Sequence, residues 1–178
     1  MFSKGDAMKL TGSVKCLLTG LGILAASAAV AGSLRPATPI AGSRTAGFFD
    51  AIYAREQGVQ HLGIDISAAE NSAVRSPIDG TVVLNNTWAS DVNSAYLVIR
   101  GADAEHVLGH IASTLTPGAS VRRNQVVGSV RPWPGNSHVH WGINTKGVSQ
   151  AIKGRWGWGR APLNATVRDA TDKGWVNF

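Results

Sequence analysis

The sequence predicts an all-β domain with minor α content, a single antiparallel sheet or sandwich with short helical elements at its two ends. Three observations lead there. Between Gln60 and Asn144 the apolar residues fall in short runs rich in Val and Ile, broken by Gly, Pro and Asn. The runs follow one another too closely for helices to cross between them, which favours antiparallel pairing. No long stretch has helical periodicity, and no repeat is present. A chain of 178 residues suits one compact domain of this kind.

The elements follow in order. Lys4, Lys9 and Lys15 precede an uncharged, mostly apolar run from Cys16 to Gly32 that contains Ala29-Val30-Ala31. A basic start, an apolar middle and a small-x-small site predict a signal peptide over 1–31; the alternative is an uncleaved anchor, for which the run is a little short. Residues 32–46, with Pro36 and Pro39, lack an apolar period and are expected to be an exposed linker. The folded domain is expected over 47–178, with its core in 60–146 and an extension in 147–178. Phe48, Phe49, Ile52 and Tyr53 have roughly helical spacing within Phe48 to Gln57. Strands are predicted at His61–Ile66, Ala73–Arg75, Gly80–Asn85, Ala95–Arg100, His106–His110, Gln125–Val130 and His138–Asn144. The tail carries Trp156, Trp158 and Trp175, read chiefly as anchors that close a small core, and a short helix over Thr166 to Lys173 capped by Thr166.

Composition excludes some functions. Cys16 is the only cysteine and leaves with the predicted signal peptide. The mature chain then has neither disulfide nor thiolate metal site, and Cys16 is too early in the apolar run to be a lipidated terminus. Cleavage after Ala31 leaves fourteen Lys or Arg against ten Asp or Glu. Such a surface favours an anionic partner. Arg122-Arg123 is the only adjacent basic pair, so nucleic acid is not expected as a partner. Export places the protein in the periplasm, the cell envelope or outside the cell, without stable membrane insertion and as a monomer.

The histidines are the chemically informative residues. His61 stands four residues before Asp65, His138 and His140 flank Val139, and His110 follows Gly109. In a strand, residues i and i+2 or i+4 share a face. His138 and His140 would project together, and His61 and Asp65 likewise if that segment is extended. Four such groups on one face need partners, and a metal ion satisfies them together. This adds a metal cleft to the predicted fold. With no thiol available, the ligands must be imidazole and carboxylate, which suit a zinc ion that keeps an open position. His106 would share the face of His110 in a continuous strand, but a bystander role is expected for it.

His61-Leu-Gly-Ile-Asp65, Ser76-Pro-Ile-Asp-Gly80-Thr-Val82, Leu108-Gly-His110-Ile111, Gly118 to Gly128 and His138-Val-His140-Trp141 occur in the order found in lysostaphin-type (LytM-like) zinc metallopeptidases. The sequence resembles that family over roughly Gln60 to Ile143. Three departures concern subsite shape: Leu108 replaces an aromatic, Asn124 a glycine, and Trp133–Ser137 is shorter than the usual loop. The resemblance implies that His61, Asp65 and His140 hold one Zn²⁺. It implies that His110 and His138 do the acid–base chemistry, in an order the sequence leaves open. It further implies a peptidase acting on peptidoglycan cross-links, the bond being a d-Ala–diaminopimelate link, a glycine bridge or another. The alternative is a non-catalytic relative that binds peptidoglycan or activates another hydrolase, and retention of all five residues argues against it. A lipoyl- or biotin-carrier hairpin is disfavoured because no lysine lies between Gly80 and Lys146.

Overall fold

The computed structural model describes residues 35–148 and 156–178. The strands are β1 (Arg44–Ala46), β2 (Val59–His61), β3 (Ile64–Ser67), β4 (Ala73–Arg75), β5 (Gly80–Asn85), β6 (Tyr96–Arg100), β7 (Glu105–Gly109), β8 (Ile111–Ala112), β9 (Ser120–Val121), β10 (Val126–Val130), β11 (His138–Asn144) and β12 (Arg160–Pro162). Two short helices, α1 (Ala51–Gln57) and α2 (Val167–Asp172), lie near the ends. A seven-stranded sheet has the order β1-β3-β11-β7-β6-β5-β9, a three-stranded sheet the order β4-β10-β8, and β12 pairs with β2. Every ladder is antiparallel. The β-rich antiparallel fold is the one the sequence predicts.

The period of two in β11 divides the interior. Val139, Trp141 and Ile143 join one core cluster with Ile66, Leu97, Ile99 and Leu108. Val74, Val127, Val130 and Ile111 of the smaller sheet complete it, so the two sheets pack face to face over an apolar layer. On the other face, Val98 and Val107 meet Leu62, Tyr96, Val148, Ala161, Ala170 and Trp175 in a second cluster. The C-terminal segment therefore covers what would otherwise be an open sheet face. Trp175 is buried, Asn144 bridges to it, and Trp158 stacks on Tyr96 at 4.6 Å. These are the anchoring roles expected of the tail tryptophans.

Both helices are capped by side chains the sequence supplies. Asp50 Oδ1 accepts from the Ile52 and Tyr53 amides, so α1 begins at Ala51 and not at Phe48. Thr166 and Asp169 form a reciprocal capping box on α2, as the predicted Thr166 cap requires.

Three expectations need correction. The described part of the predicted linker is docked at several points, although most of its residues stay exposed. Ile40 is buried, Ala37 donates to the Pro77 carbonyl, Arg75 donates to Pro39, and β1 completes the edge of β3. An edge strand leaves backbone groups to be paired, and three residues of β1 are too few to reveal a period. His61–Ile66 is not one strand. It breaks at Leu62-Gly63, with β2 pairing to β12 and β3 to β11. The strand predicted at His106–His110 ends one residue earlier, at Gly109, because the chain leaves the large sheet at His110, between β7 and β8. The predicted signal peptide lies outside the described residues, and among these no helix is long and apolar enough to cross a membrane.

Candidate metal centre

Strand register places the first residues of the site. In β11, His140 stands opposite Asp65 of β3 on one side and Gly109 of β7 on the other. His138 lies two residues away on the same face, opposite Ser67. His61 arrives from β2 after the break in the chain. Gly63 permits this break: a Cβ there would lie 2.5 Å from the Trp141 carbonyl and 2.8 Å from the His140 ring. The glycine of the His-x-Gly-x-Asp pattern is thus required by the close approach of β11.

His61 Nε2, Asp65 Oδ1 and His140 Nδ1 converge. The distances are 3.1 Å between His61 and Asp65, 2.8 Å between His61 and His140, and 3.0 Å between His140 and Asp65. All three residues are buried. His61 Nδ1 lies 2.7 Å from the Gly47 carbonyl. A carbonyl only accepts, so Nδ1 carries the ring proton and a neutral His61 presents a lone pair at Nε2. Burial raises the Asp65 pKa, but the contacts from His140 and His61 outweigh it, and the carboxyl falls well below its ordinary range. The neutral triad can place at most one proton among its three inner atoms, on His140 Nδ1, which leaves lone pairs of His61 and Asp65 facing each other. A cation at the centre satisfies all three. Donors on a tetrahedral ion at zinc distances stand about 3.3 Å apart, so this cluster needs only slight expansion. The residues fit a metal ion, with His61, Asp65 and His140 as the donors.

Two further imidazoles border this cluster. His138 Nε2 is 3.7 Å from Asp65 Oδ2, and the His110 and His138 rings lie 4.5 Å apart. Their Nδ1 atoms donate to backbone carbonyls, His110 to Val92 at 3.0 Å and His138 to Asn136. The same tautomer results in both, with Nε2 left as a base. Burial and the neighbouring His138 push the His110 pKa down to about 3, against the pull of the Val92 carbonyl. Burial likewise pushes His140 down to about 4, with Asp65 opposing. His110 has φ 61°, a backbone region costly for a residue other than glycine. The turn lets its amide donate to Ala95 and its carbonyl accept from Arg131 while the ring faces the cleft.

His106 is on the opposite face. Its Nδ1 accepts from Trp141 Nε1 at 3.1 Å, in the layer between the sheets. It does not share the face of His110, because His110 lies beyond the end of the strand.

The sequence did not reveal several contributors. Trp133 meets His110 and His138 at 5.2 and 5.4 Å between ring centroids. Tyr53 stacks on His61 at 4.3 Å, and Arg160 also lines the cleft. Gly159 must lack a side chain, since a Cβ would come within 2.0 Å of His140 Nε2. These residues come from the helix, the loop and the tail, which carry no signature of their own. The clue available was the short loop from Trp133, which puts an aromatic five residues before His138.

Lysostaphin from Staphylococcus simulans has a similar fold, with 14% identity over 62% of this chain and 47% of that one, at a TM-score of 0.50. A point mutant of the catalytic domain of the prophage-encoded M23 protein EnpA from Enterococcus faecalis is 22% identical over 73% of this chain and 97% of that one (TM-score 0.49). Helicobacter pylori Csd3 is 23% identical over 62% of this chain (TM-score 0.49). The match spans 30% of the Csd3 chain. No curated protein sequence matches this chain. Residues 59–152, a stretch that includes His61, Asp65, His110, His138 and His140, match peptidase family M23, and the chain belongs to that family.

Proposed function

We propose that this protein is a zinc-dependent endopeptidase that hydrolyses peptide cross-links of bacterial peptidoglycan. The observation that carries the reading is the pairing of two sets of imidazoles. His61 Nε2, His140 Nδ1 and Asp65 Oδ1 converge as donors for one cation. Beside them, His110 and His138 have their Nδ1 protons held by backbone carbonyls, so that each Nε2 is a base. A bound zinc supplies Lewis-acid activation of the attacking water and of the scissile carbonyl. His110 and His138 take up the water proton and return one to the leaving amine. Trp133 packs against His110 and His138, Tyr53 stacks on His61, and the two aromatics form cleft walls on which a peptide can lie.

Peptidoglycan as substrate is supported by family membership, by the basic mature chain and by the signal-like N-terminus. The same features support export to the envelope or beyond. The test is digestion of purified sacculi and defined muropeptides by the zinc-loaded protein, with and without chelator, read by mass spectrometry. Chelator-sensitive release of cross-linked peptides is expected. Intact cross-links with zinc bound would overturn the enzymatic reading in favour of a binding or activating role.

A further inference from the structure

The cleft contains a cation that the acid–base chemistry does not use. Arg160 begins β12, and its backbone stands opposite His61 in the β12–β2 ladder. Its side chain lines the same cleft as Asp65, His110 and His138. One guanidinium nitrogen donates to Asn93 Oδ1 at 3.0 Å. Among the described residues no carboxylate is in ion-pair contact with it. Three of the nearby acids are otherwise engaged, and the fourth, Glu56 of α1, is exposed and makes no ion pair with Arg160. Asp91 accepts from the Asn93 amide and from Ser94, Asp50 caps α1, and Asp65 belongs to the metal triad. Other arginines have found partners: Arg100 meets Glu105, and Arg131 donates to the Ala89 and Ser90 carbonyls.

The 3-10 turn Val92–Ser94 serves two purposes. Its Val92 carbonyl fixes the His110 ring, and its Asn93 side chain fixes Arg160. The guanidinium is therefore set at a constant place relative to the reacting centre. Asn93 occupies one of its five donors. A planar cation with free donors is suited to a carboxylate in two-point contact. Tyr53, whose phenol is pushed up by burial and pulled down by the charge of Arg160 and by a hydrogen bond accepted from it, takes up part of the guanidinium on that side.

We infer that Arg160 is a specificity residue that receives a carboxylate of the bound peptide beside the scissile amide, an inference that rests on the peptidase reading. A d-Ala–diaminopimelate cross-link has such a group, because the carbon bearing the scissile nitrogen also carries a free carboxylate. A glycine bridge has none. The substrate class assigned is therefore the carboxylate-bearing cross-link.

The test uses the full-length, zinc-loaded protein and two synthetic compounds. One is a d-alanyl–diaminopimelate cross-link analogue, and the other is the same compound with the carboxylate next to the scissile nitrogen amidated. A charged hydrogen-bonded contact corresponds to a preference of roughly 10- to 100-fold in kcat/KM, expected mainly in KM. Arg160→Gln should bring the ratio close to one by loss on the carboxylate compound, and Arg160→Lys should restore part of it. Zinc content and melting temperature report whether the variants remain folded. Dissociation constants for both compounds, measured in a His110→Ala background, separate the two ideas. Tighter, Arg160-dependent binding of the carboxylate compound without cleavage by the parent protein would uphold this assignment and sink the peptidase reading. Equal kcat/KM for the two compounds, or better cleavage of a pentaglycine peptide, would overturn the assignment and leave the peptidase reading intact. Failure to bind either compound would overturn it as well.

Discussion

On one face of β11, His138 and His140 point toward Asp65 and the cleft; on the other, Val139, Trp141 and Ile143 point into the layer between the sheets. Neighbouring strands repeat the division. His106 faces the apolar layer, and His110, four residues later, faces the cleft. Burial lowers the pKa of both, to about 4 for His106 and about 3 for His110. The proton state therefore does not distinguish them. What differs is the ring nitrogen each leaves open. His106 Nδ1 is occupied by the Trp141 indole, whereas the carbonyl of Val92 takes the Nδ1 proton of His110 and frees Nε2 toward the site. A buried imidazole is a structural group or a candidate base according to its second partner.

The largest effect should come from breaking the cleft face at the one anion of the metal triad. Asp65→Ala removes one of three donors, and since outer partners alone change metal affinity 10- to 100-fold, zinc affinity should fall by more than about 100-fold. Competition with a fluorescent chelator and elemental analysis measure this. Wild-type protein without zinc after reconstitution, or a variant with unchanged affinity, would refute the site.

Next in size, His110→Ala should reduce turnover by ~10²–10⁴-fold while zinc is retained. Single-turnover rates and metal content read the two effects separately. Loss of zinc as complete as in His61→Ala would make His110 a ligand and abolish the distinction between the two sets of imidazoles.

The smallest effect is expected on the opposite face. His106→Leu leaves the Trp141 indole without an acceptor, which costs about 1–3 kcal/mol at neutral pH, with zinc content and turnover maintained. The pH dependence gives a sharper criterion. Because the folded pKa lies below the ordinary imidazole value, the unfolded chain binds more protons between about pH 4 and 6.5. Stability from neutral His106 is fully present above that window and declines as pH falls through it, by about 3 kcal/mol at most. Urea titrations of both proteins across this range should therefore show the gap closing as pH falls. A constant gap would mean that His106 does not titrate differently on folding.

The sequence by itself determined the strand-rich class, the shared face of His138 and His140, the Thr166 cap and the proximity of His61 to Asp65. Each depends on spacing within a few residues, where the backbone period dictates direction. Most predicted strands coincide with observed ones to within a residue or two. The tertiary structure alone decided the rest. Arg44–Ala46 lie along β3 because its edge needed pairing, and Ala37 and Pro39 are held by backbone bonds to Pro77 and Arg75. His106 and His110 face opposite ways because the chain turns at a residue with positive φ between two sheets. Trp133, Tyr53, Asn93, Gly159 and Arg160 reach the cleft from segments far apart in the chain. No local period encodes such meetings. They follow from strand order, from which carbonyls remain free to hold an imidazole, and from where a glycine lets two backbones approach.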